Sequence, residues 1–281
     1  MIVYFNGRLV ADDAAVVSPL DHGFLYGHGL FETMRAYQGR VFRFEEHIKR
    51  LAGAANCLGW PAIPGRPELR RAIVSTLTAN HLSDASIRLT LSRGIGAARP
   101  DAASCGQPTV AVYASPLPPA LPPAGWQIAT VKLRRNLSSP LVRIKSANYL
   151  DNMLARAEAR RFNAQEAIML NTDGFIAEGS MSNIFCVAGG RLVTPDEDSG
   201  ILPGVTRQVV IELAQAAGIP VAVRQVTPAE LAGADEIFLT SSIMEIIPVT
   251  VCDGKQIGTG LAAGAITARL QILYRELTAK E

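Results

Sequence analysis

The side chains best suited to chemistry lie between Glu178 and Arg207, in the stretch EGSMSNIFCVAGGRLVTPDEDSGILPGVTR. Glu178 offers a carboxylate that can pair with a ring nitrogen. A helix predicted to begin at Val205 and Thr206 offers backbone N–H groups that can bind a phosphate. Lys145, in RIKSANYLDN further upstream, has an amine that can form a Schiff base. Together these groups indicate an enzyme that holds a phosphorylated, nitrogen-containing cofactor.

The composition allows a sizeable core and excludes several classes of partner. The chain has 281 residues, of which 48% are hydrophobic, so it can form one large domain or two smaller ones. It carries 27 basic and 25 acidic residues without a long basic run. We therefore expect no nucleic-acid partner and no binding to an anionic membrane.

Cysteine and histidine spacing gives no sign of a metal site. The four cysteines are widely separated, and the four histidines do not fall at ligand spacing, so no metal is predicted. The N-terminal MIVYFNGRLV lacks the apolar run of a signal peptide or a membrane span. We expect a cytoplasmic protein with reduced thiols.

Two lobes are predicted to position the reactive groups. The segment SPLPPALPPAG, residues 115–125, contains five prolines and cannot continue a helix or a central strand. The predicted organisation is a first lobe over 1–115, a proline-rich linker over 116–125 and a second lobe over 126–281. Helices are predicted over 44–55, 67–80, 147–162, 205–217 and 261–277. Short strands lie between them without strict alternation, which favours an α+β fold over a doubly wound sheet.

Six motifs in a fixed order carry a family resemblance. They read DHGFLYGHGLFETMRAY, EEHIKRL, IKSANYLDN, EGSMSNIF, ILPGVTR and DEIFLTSS. On these motifs the chain resembles the class IV aminotransferases, which are pyridoxal-phosphate (PLP) enzymes of fold type IV. The family includes branched-chain and D-amino-acid aminotransferases and 4-amino-4-deoxychorismate lyases. The resemblance implies a smaller N-terminal α/β lobe, a larger C-terminal PLP-binding lobe and the cofactor between them.

The resemblance also assigns roles to individual residues. Lys145 corresponds to the Schiff-base lysine and Glu178 to the partner of the pyridine nitrogen. The other cofactor-binding groups are Arg50, Val205, Thr206 and Ser242 for the phosphate and Tyr149 for the 3-hydroxyl.

Each residue considered alone has a simpler interpretation. Lys145 could be a solvated surface lysine and Glu178 a turn residue before Gly179. Arg50 could pair with Glu46, four residues earlier on the same helix. Val205 and Thr206 could form an ordinary helix start, and Tyr149 could be core packing.

The substrate side resembles more than one branch of the family. The candidate substrate residues are Phe31, Thr33, Arg99 and Ser241. D-amino-acid aminotransferases carry an Arg-x-His pair in the loop that reads SRGIGAARPDAAS here, but Arg99 is one position late and no histidine follows. Thr33, Ser182 and an arginine in this loop resemble the deoxychorismate lyases, whereas Tyr149 and the DHGFLYG opening resemble the branched-chain enzymes.

Three functions remain open at this point. The first is an aminotransferase that moves the amino group of a D- or branched-chain amino acid to a 2-oxo acid. The second is a lyase that converts 4-amino-4-deoxychorismate to pyruvate and 4-aminobenzoate. The third is a non-catalytic binding protein on the same scaffold. The resemblance implies a homodimer, with GFLYGHGLF as an interface element and Tyr26 and His28 near the neighbour's site. Alternatively, this segment is buried within its own subunit.

Overall fold

The computed structural model describes residues 1–119, 125–260 and 263–281. The chain divides into two compact units, and each is described by itself. Unit 1 comprises Met1–Pro119, Ile144–Asn148 and Glu281. Unit 2 comprises Tyr149–Lys280 and the described part of 120–143. The linker was predicted over 116–125: Pro116 ends a strand, and residues 120–124 lie outside the described residues. The predicted helix start at 261 also lies outside them.

Within the described residues, unit 1 contains a six-stranded sheet in which all neighbouring strands are antiparallel. The strands are β1 (Ile2–Phe5), β2 (Arg8–Ala11), β3 (Gly29–Tyr37), β4 (Arg40–Val41), β5 (Ala85–Ser92) and β6 (Thr109–Pro116), in the order β2-β1-β6-β5-β3-β4. The helices are α1 (His22–Tyr26), α2 (Phe44–Cys57) and α3 (Arg66–Ala79).

The core of unit 1 follows from the periodicities of its elements. Side chains alternate between the two faces of a strand, and Leu30, Met34 and Ala36 on β3 share one buried face. Helix α2 contributes Ile48 and Leu51 to the same core cluster, at the spacing of one helical face. Glu32 has the same parity as the apolar residues of β3, so its carboxylate is directed into this apolar core.

Unit 2 is built on a nine-stranded mixed sheet, counted over the described residues. Its strands are β7 (Trp126–Arg135), β8 (Glu166–Asn171), β9 (Ile176–Gly179), β10 (Asn183–Ala188), β11 (Arg191–Thr194), β12 (Val221–Val223), β13 (Glu236–Ser241), β14 (Glu245–Cys252) and β15 (Lys255–Gln256). The order is β12-β11-β10-β13-β14-β7-β8-β9, with β15 paired to β14. The pairs β11–β12, β14–β7 and β7–β8 are parallel.

Over the described residues, unit 2 has four α-helices: α4 (Leu150–Arg160), α5 (Val205–Ala216), α6 (Pro228–Ala232) and α7 (Ala265–Lys280). Helices and mixed-direction strands together give the α+β class predicted from the sequence. No helix among the described residues combines the length and the apolar character needed to cross a membrane.

The helix predicted over 147–162 begins three residues later than expected, at Leu150. The preceding residues instead form backbone contacts with β3. Ser146 forms an isolated antiparallel bridge with Leu30, and the Ala147 N–H donates to the Gly29 carbonyl at 2.8 Å. Lys145 therefore lies beside β3, before the start of α4.

Candidate active site

A buried ionic cluster connects β3 to α2 in unit 1. Glu32 on β3 accepts two hydrogen bonds from Arg50, from Nε to Oε1 at 2.9 Å and from Nη2 to Oε2 at 2.6 Å. The His47 ring lies on the same carboxylate, with 2.7 Å between Nδ1 and Oε2. The side chains of Glu32 and Arg50 are only 1% and 11% exposed. Arg50 thus pairs with a buried carboxylate, and Glu46 contacts Arg43.

Burial and the contacts within this cluster decide which of its side chains are charged. Burial raises the pKa of Glu32, but the charge of Arg50 and the hydrogen bonds from His47 and Arg50 outweigh it and lower that pKa to about 2. Burial lowers the pKa of His47, against the opposing effect of Glu32. At neutral pH the cluster therefore holds an ionised Glu32, a charged Arg50 and a neutral His47, which donates its Nδ1 proton because a carboxylate can only accept.

Lys145 lies beside Phe31 on β3. The Phe31 N–H donates to the Lys145 carbonyl at 2.9 Å, which fixes the backbone of the lysine along the strand. Lys145 Nζ is 4.5 Å from the centre of the Phe31 ring, and the guanidinium carbon of Arg88 is 3.5 Å from the same centre. Phe31 is buried, so its ring forms one apolar wall for the lysine amine.

The other substrate candidates of unit 1 lie at separate positions. Thr33 is half-buried on β3 and pairs in register with Arg88. Arg99 is 71% exposed and forms an ion pair with Asp101 of its own loop at 3.1 Å. Arg93, by contrast, is buried and donates to the carbonyls of Cys105 and Gly106, a structural role within the loop.

Glu178 of unit 2 is a buried carboxylate held from three sides. Arg135 at the end of β7 contacts its Oε1 through Nη2 at 2.9 Å. Its Oε2 accepts from the side-chain amide of Asn183 at 3.1 Å and from the Leu202 N–H at 2.9 Å. The same amide also donates to the Leu202 carbonyl at 2.9 Å. These contacts fix the position of the carboxylate, so Glu178 is more than a turn residue.

The start of α5 lies close to this carboxylate in unit 2. Val205 and Thr206 are the first two residues of the helix and both are buried. Gly204 caps the helix, and a Cβ built there would lie only 1.9 Å from Oδ1 of Asn183. A side chain at this position would therefore push Asn183 away from Glu178. The N-terminal N–H groups of α5 point beyond the helix, where an anion is favoured.

Ser241 and Ser242 lie where β13 turns into β14. Ser241 ends β13, and its Oγ accepts from the Met244 N–H at 3.3 Å. The neighbouring Thr240 pairs in register with Asn183 of β10. Within the described part of the chain, the Thr240 hydroxyl is one of a few buried side-chain oxygens or nitrogens with no hydrogen-bond partner, and the residue is 2% exposed. This end of the sheet thus retains unused hydrogen-bonding capacity.

Tyr149 and Asn152 hold the loop that follows β9. The Tyr149 hydroxyl donates to the Ser180 carbonyl at 2.9 Å, and the Asn152 amide donates to the same oxygen at 2.8 Å. Buried Glu166 binds the other side of the loop through Ser180 and Ser182. The loop therefore has a fixed conformation in which Tyr149 is a supporting group.

Each unit brings part of the predicted set together. Unit 1 places Lys145 next to Phe31, whereas Arg99 is exposed in its own loop. In unit 2, Asn183 donates to Glu178 and lies against Gly204 at the start of α5. Asn183 belongs to β10, which pairs with β13, and β13 ends at Ser241. Sequence reasoning missed Glu32, His47, Arg135 and Asn183 as partners. The sequence pattern could have identified two of them. Glu32 is a charged residue in phase with the apolar positions of β3, and His47 lies three residues before Arg50 on one helix face.

Comparison with known proteins gives a consistent result. A family model described as amino-transferase class IV matches residues 29–252. A proposed branched-chain-amino-acid aminotransferase of Methanocaldococcus jannaschii is 41% identical, covering 100% of this chain and 97% of that protein. The aminodeoxychorismate lyase of Bacillus subtilis is 37% identical, covering 98% of this chain and 94% of that protein. A solved structure of the T.th. branched-chain amino acid aminotransferase with pyridoxamine 5'-phosphate is 30% identical, with a TM-score of 0.93 over 100% of this chain and 95% of that one.

Proposed function

Because this chain belongs to the class IV aminotransferase family of fold type IV, PLP-dependent enzymes, we propose that it transfers the amino group of an amino acid to a 2-oxo acid. When bound, PLP supplies an electrophilic carbon and an electron sink. The amino-acid donor would be of the D- or branched-chain type. The similarity to the branched-chain aminotransferases over nearly the whole chain supports the branched-chain alternative.

The residues present match the chemical groups of the cofactor. We propose that Lys145 is the covalent attachment point and, once its amine is released, carries a proton to or from the substrate carbon. Glu178 would accept a hydrogen bond from the protonated ring nitrogen. The phosphate would bind to the N–H groups of Val205 and Thr206, to the Ser242 hydroxyl and to Arg50. Tyr149 would lie near the 3-hydroxyl.

One observation carries this proposal. Glu178 is a buried carboxylate that Arg135, Asn183 and the Leu202 N–H hold in place, and Asn183 also packs on the capping glycine of α5. A fixed acceptor for a ring N–H and a set of donors for a phosphate are thereby connected through a single side chain. Neither a turn residue at Glu178 nor an ordinary helix start at Val205 explains why these two groups are buried and connected through Asn183.

The substrate carboxylate is assigned to Arg99. Its side chain is exposed and pairs with Asp101 of the same loop. Such a surface ion pair contributes little to the stability of the fold. A substrate carboxylate could therefore replace Asp101 at small cost. Phe31, Thr33 and Ser241 would form the remaining substrate contacts.

Elimination of pyruvate from 4-amino-4-deoxychorismate is the second candidate function. The 37% identity to the Bacillus subtilis lyase favours it, as do Thr33 and Ser182 in the sequence. The reaction would use the same lysine for proton transfer. It differs from transamination because it needs no 2-oxo acid acceptor.

A paired assay separates the two functions. Purified protein with added PLP is incubated either with amino-acid donors of both configurations and 2-oxoglutarate, or with 4-amino-4-deoxychorismate. We expect glutamate from the first mixture and no 4-aminobenzoate from the second. 4-Aminobenzoate formation without any glutamate would reverse the assignment.

The working unit is proposed to be a homodimer. Helix α1 presents Phe24, Leu25 and Tyr26 on the surface, and Phe24 is 73% exposed. The alternative that this segment is buried in its own subunit holds only for its later part, where Leu30 and Phe31 are buried. Contiguous exposed apolar side chains are typical of protein interfaces, and a second copy of this chain would cover them.

A further inference from the structure

We propose that Glu32 is a positioning residue, which holds Arg50 in the orientation required to bind the cofactor phosphate, with His47 as the second support of the carboxylate. The inference deepens the proposed function and rests on its assignment of Arg50. Side chains alternate along a strand, so Glu32 lies on the opposite face of β3 from the substrate candidates Phe31 and Thr33.

The position of Glu32 is costly for a purely structural residue. Its neighbours on the same face of β3 are Leu30 and Met34, both fully buried in the core of unit 1. An apolar residue of similar volume would fill this place without the desolvation of a charge, and buried ion pairs are often no more stable than such replacements. The charge therefore calls for a role other than stability.

The geometry specifies that role. Arg50 uses its Nε and Nη2 donors on the two oxygens of Glu32, and this two-point contact fixes the plane of the guanidinium. A long arginine side chain otherwise has several rotamers to choose from. Holding the guanidinium in one plane removes that freedom before an anion binds, which lowers the entropic cost of binding.

His47 fixes the carboxylate in turn. Its Nδ1 lies 2.7 Å from Oε2, the same oxygen that accepts from Arg50 Nη2. His47 and Arg50 are three residues apart on α2, so one helix face carries both groups. Since His47 is neutral, it orients Glu32 without adding a second positive charge to the cluster.

The test compares two ligands that differ only in the phosphate. Binding of PLP and of unphosphorylated pyridoxal to the full-chain protein is followed by absorbance for the wild type, Glu32→Gln and Arg50→Met. Glu32→Gln keeps the size of the side chain and removes its charge. We expect it to weaken PLP binding about tenfold or more and to leave pyridoxal binding within about twofold. A merely structural defect would weaken both ligands alike.

The matched control is Glu45→Gln, which removes an exposed acid of α2, the helix that carries Arg50; Glu45 pairs with exposed Arg70. This variant should bind both ligands like the wild type. Arg50→Met tests the assignment of Arg50 to the phosphate separately from the positioning role of Glu32. If it leaves the preference for PLP over pyridoxal unchanged, the assignment of Arg50 to the phosphate fails. If Arg50→Met loses that preference and Glu32→Gln keeps it, the positioning role of Glu32 is wrong.

A second variant decides the question if Glu32→Gln does not fold. His47→Phe keeps a ring of similar size and removes the hydrogen bond to Glu32. A selective loss of PLP affinity of roughly threefold or more, with unchanged pyridoxal affinity, would support the positioning role. Equal affinities to those of the wild type for both ligands would overturn it.

Discussion

Buried charge is the feature that most constrains individual residues of this protein. Glu32 in unit 1 and Glu178 in unit 2 are both buried, and each faces an arginine that is itself mostly buried. Breaking such a pair by removing one partner leaves an uncompensated charge in a medium that solvates it poorly. The two pairs therefore make separate predictions about stability.

Removal of Arg135 is expected to destabilise the protein through Glu178. In Arg135→Met the Glu178 carboxylate loses its ion pair with the guanidinium, and the Val142 and Gly200 carbonyls lose a donor. We expect a loss of roughly 3–5 kcal/mol in the free energy of unfolding, measured by urea titration. Arg134→Met, at the exposed neighbouring position, is the control and should change it by less than about 0.5 kcal/mol. Similar values for the two variants would show that the ion pair with Glu178 contributes nothing.

The pH dependence of stability tests the Glu32 cluster. Folding lowers the pKa of Glu32 from its ordinary 4.5 to about 2. Its contribution is therefore fully present above pH 4.5 and is lost as the pH falls towards 2. The wild type should exceed Glu32→Gln by a margin that shrinks by roughly 3 kcal/mol over this interval, as measured by urea unfolding at several pH values. A margin that does not depend on pH would contradict the ionised, paired state of Glu32.

The sequence identified reactive residue types better than it identified their partners. Lys145 and Glu178 can be selected from motifs, because the motifs are local. Arg135 lies 43 positions before Glu178, and no local pattern connects the two. Only the sheet, in which β7 pairs with β8 and β8 with β9, brings these residues into contact.

At the scale of elements, the start of α5 depends on a single glycine. The Gly204 cap lies so close to Asn183 that an added Cβ would meet Oδ1 at 1.9 Å. Gly204→Ala should therefore displace Asn183, loosen Glu178 and shift the first turn of the helix. We expect weaker PLP binding and a lower midpoint of thermal unfolding.

The control for this change is Gly53→Ala. Gly53 lies in α2, and a Cβ there would meet nothing within 4 Å. Alanine at this position should leave PLP binding unchanged and stabilise the helix by up to about 1 kcal/mol. If Gly204→Ala behaved like Gly53→Ala, the close packing of Asn183 on the cap would have no functional consequence.

Most elements follow from local periodicity, and the exceptions have a tertiary cause. The predicted helices over 44–55 and 205–217 agree with α2 and α5 to within two residues. The predicted start of α4 was wrong because Ser146 and Ala147 pair with β3, more than a hundred residues earlier in the chain. Local propensity cannot anticipate a strand contact of that range.

At the scale of the whole molecule, the proposed homodimer depends on the apolar surface of α1. Phe24→Asp would place a charge in the centre of that surface. We expect it to weaken self-association, measured by sedimentation velocity over a range of protein concentrations. Val74→Asp, at an exposed apolar position of α3, should sediment like the wild type. Identical sedimentation of all three proteins would exclude α1 from the interface, and a monomeric, active wild type would refute the dimer itself.

The division of the chain into units was only partly visible in the sequence. The proline-rich segment suggests a boundary near residue 120, but no local pattern groups Lys145 with the first hundred residues. The structure groups Ile144–Asn148 with unit 1, because this segment pairs with β3. The division into domains at 1–115 and 126–281 remains a prediction.

The central claim is that this PLP-dependent enzyme binds its cofactor covalently through Lys145. The most direct measurement is borohydride reduction of the PLP-loaded protein, followed by proteolysis and mass spectrometry of the labelled peptide. We predict one labelled site, Lys145, which is lost in Lys145→Ala and retained in the control Lys132→Ala, at an exposed position of β7. A label on a different lysine, or undiminished labelling of Lys145→Ala, would contradict the account.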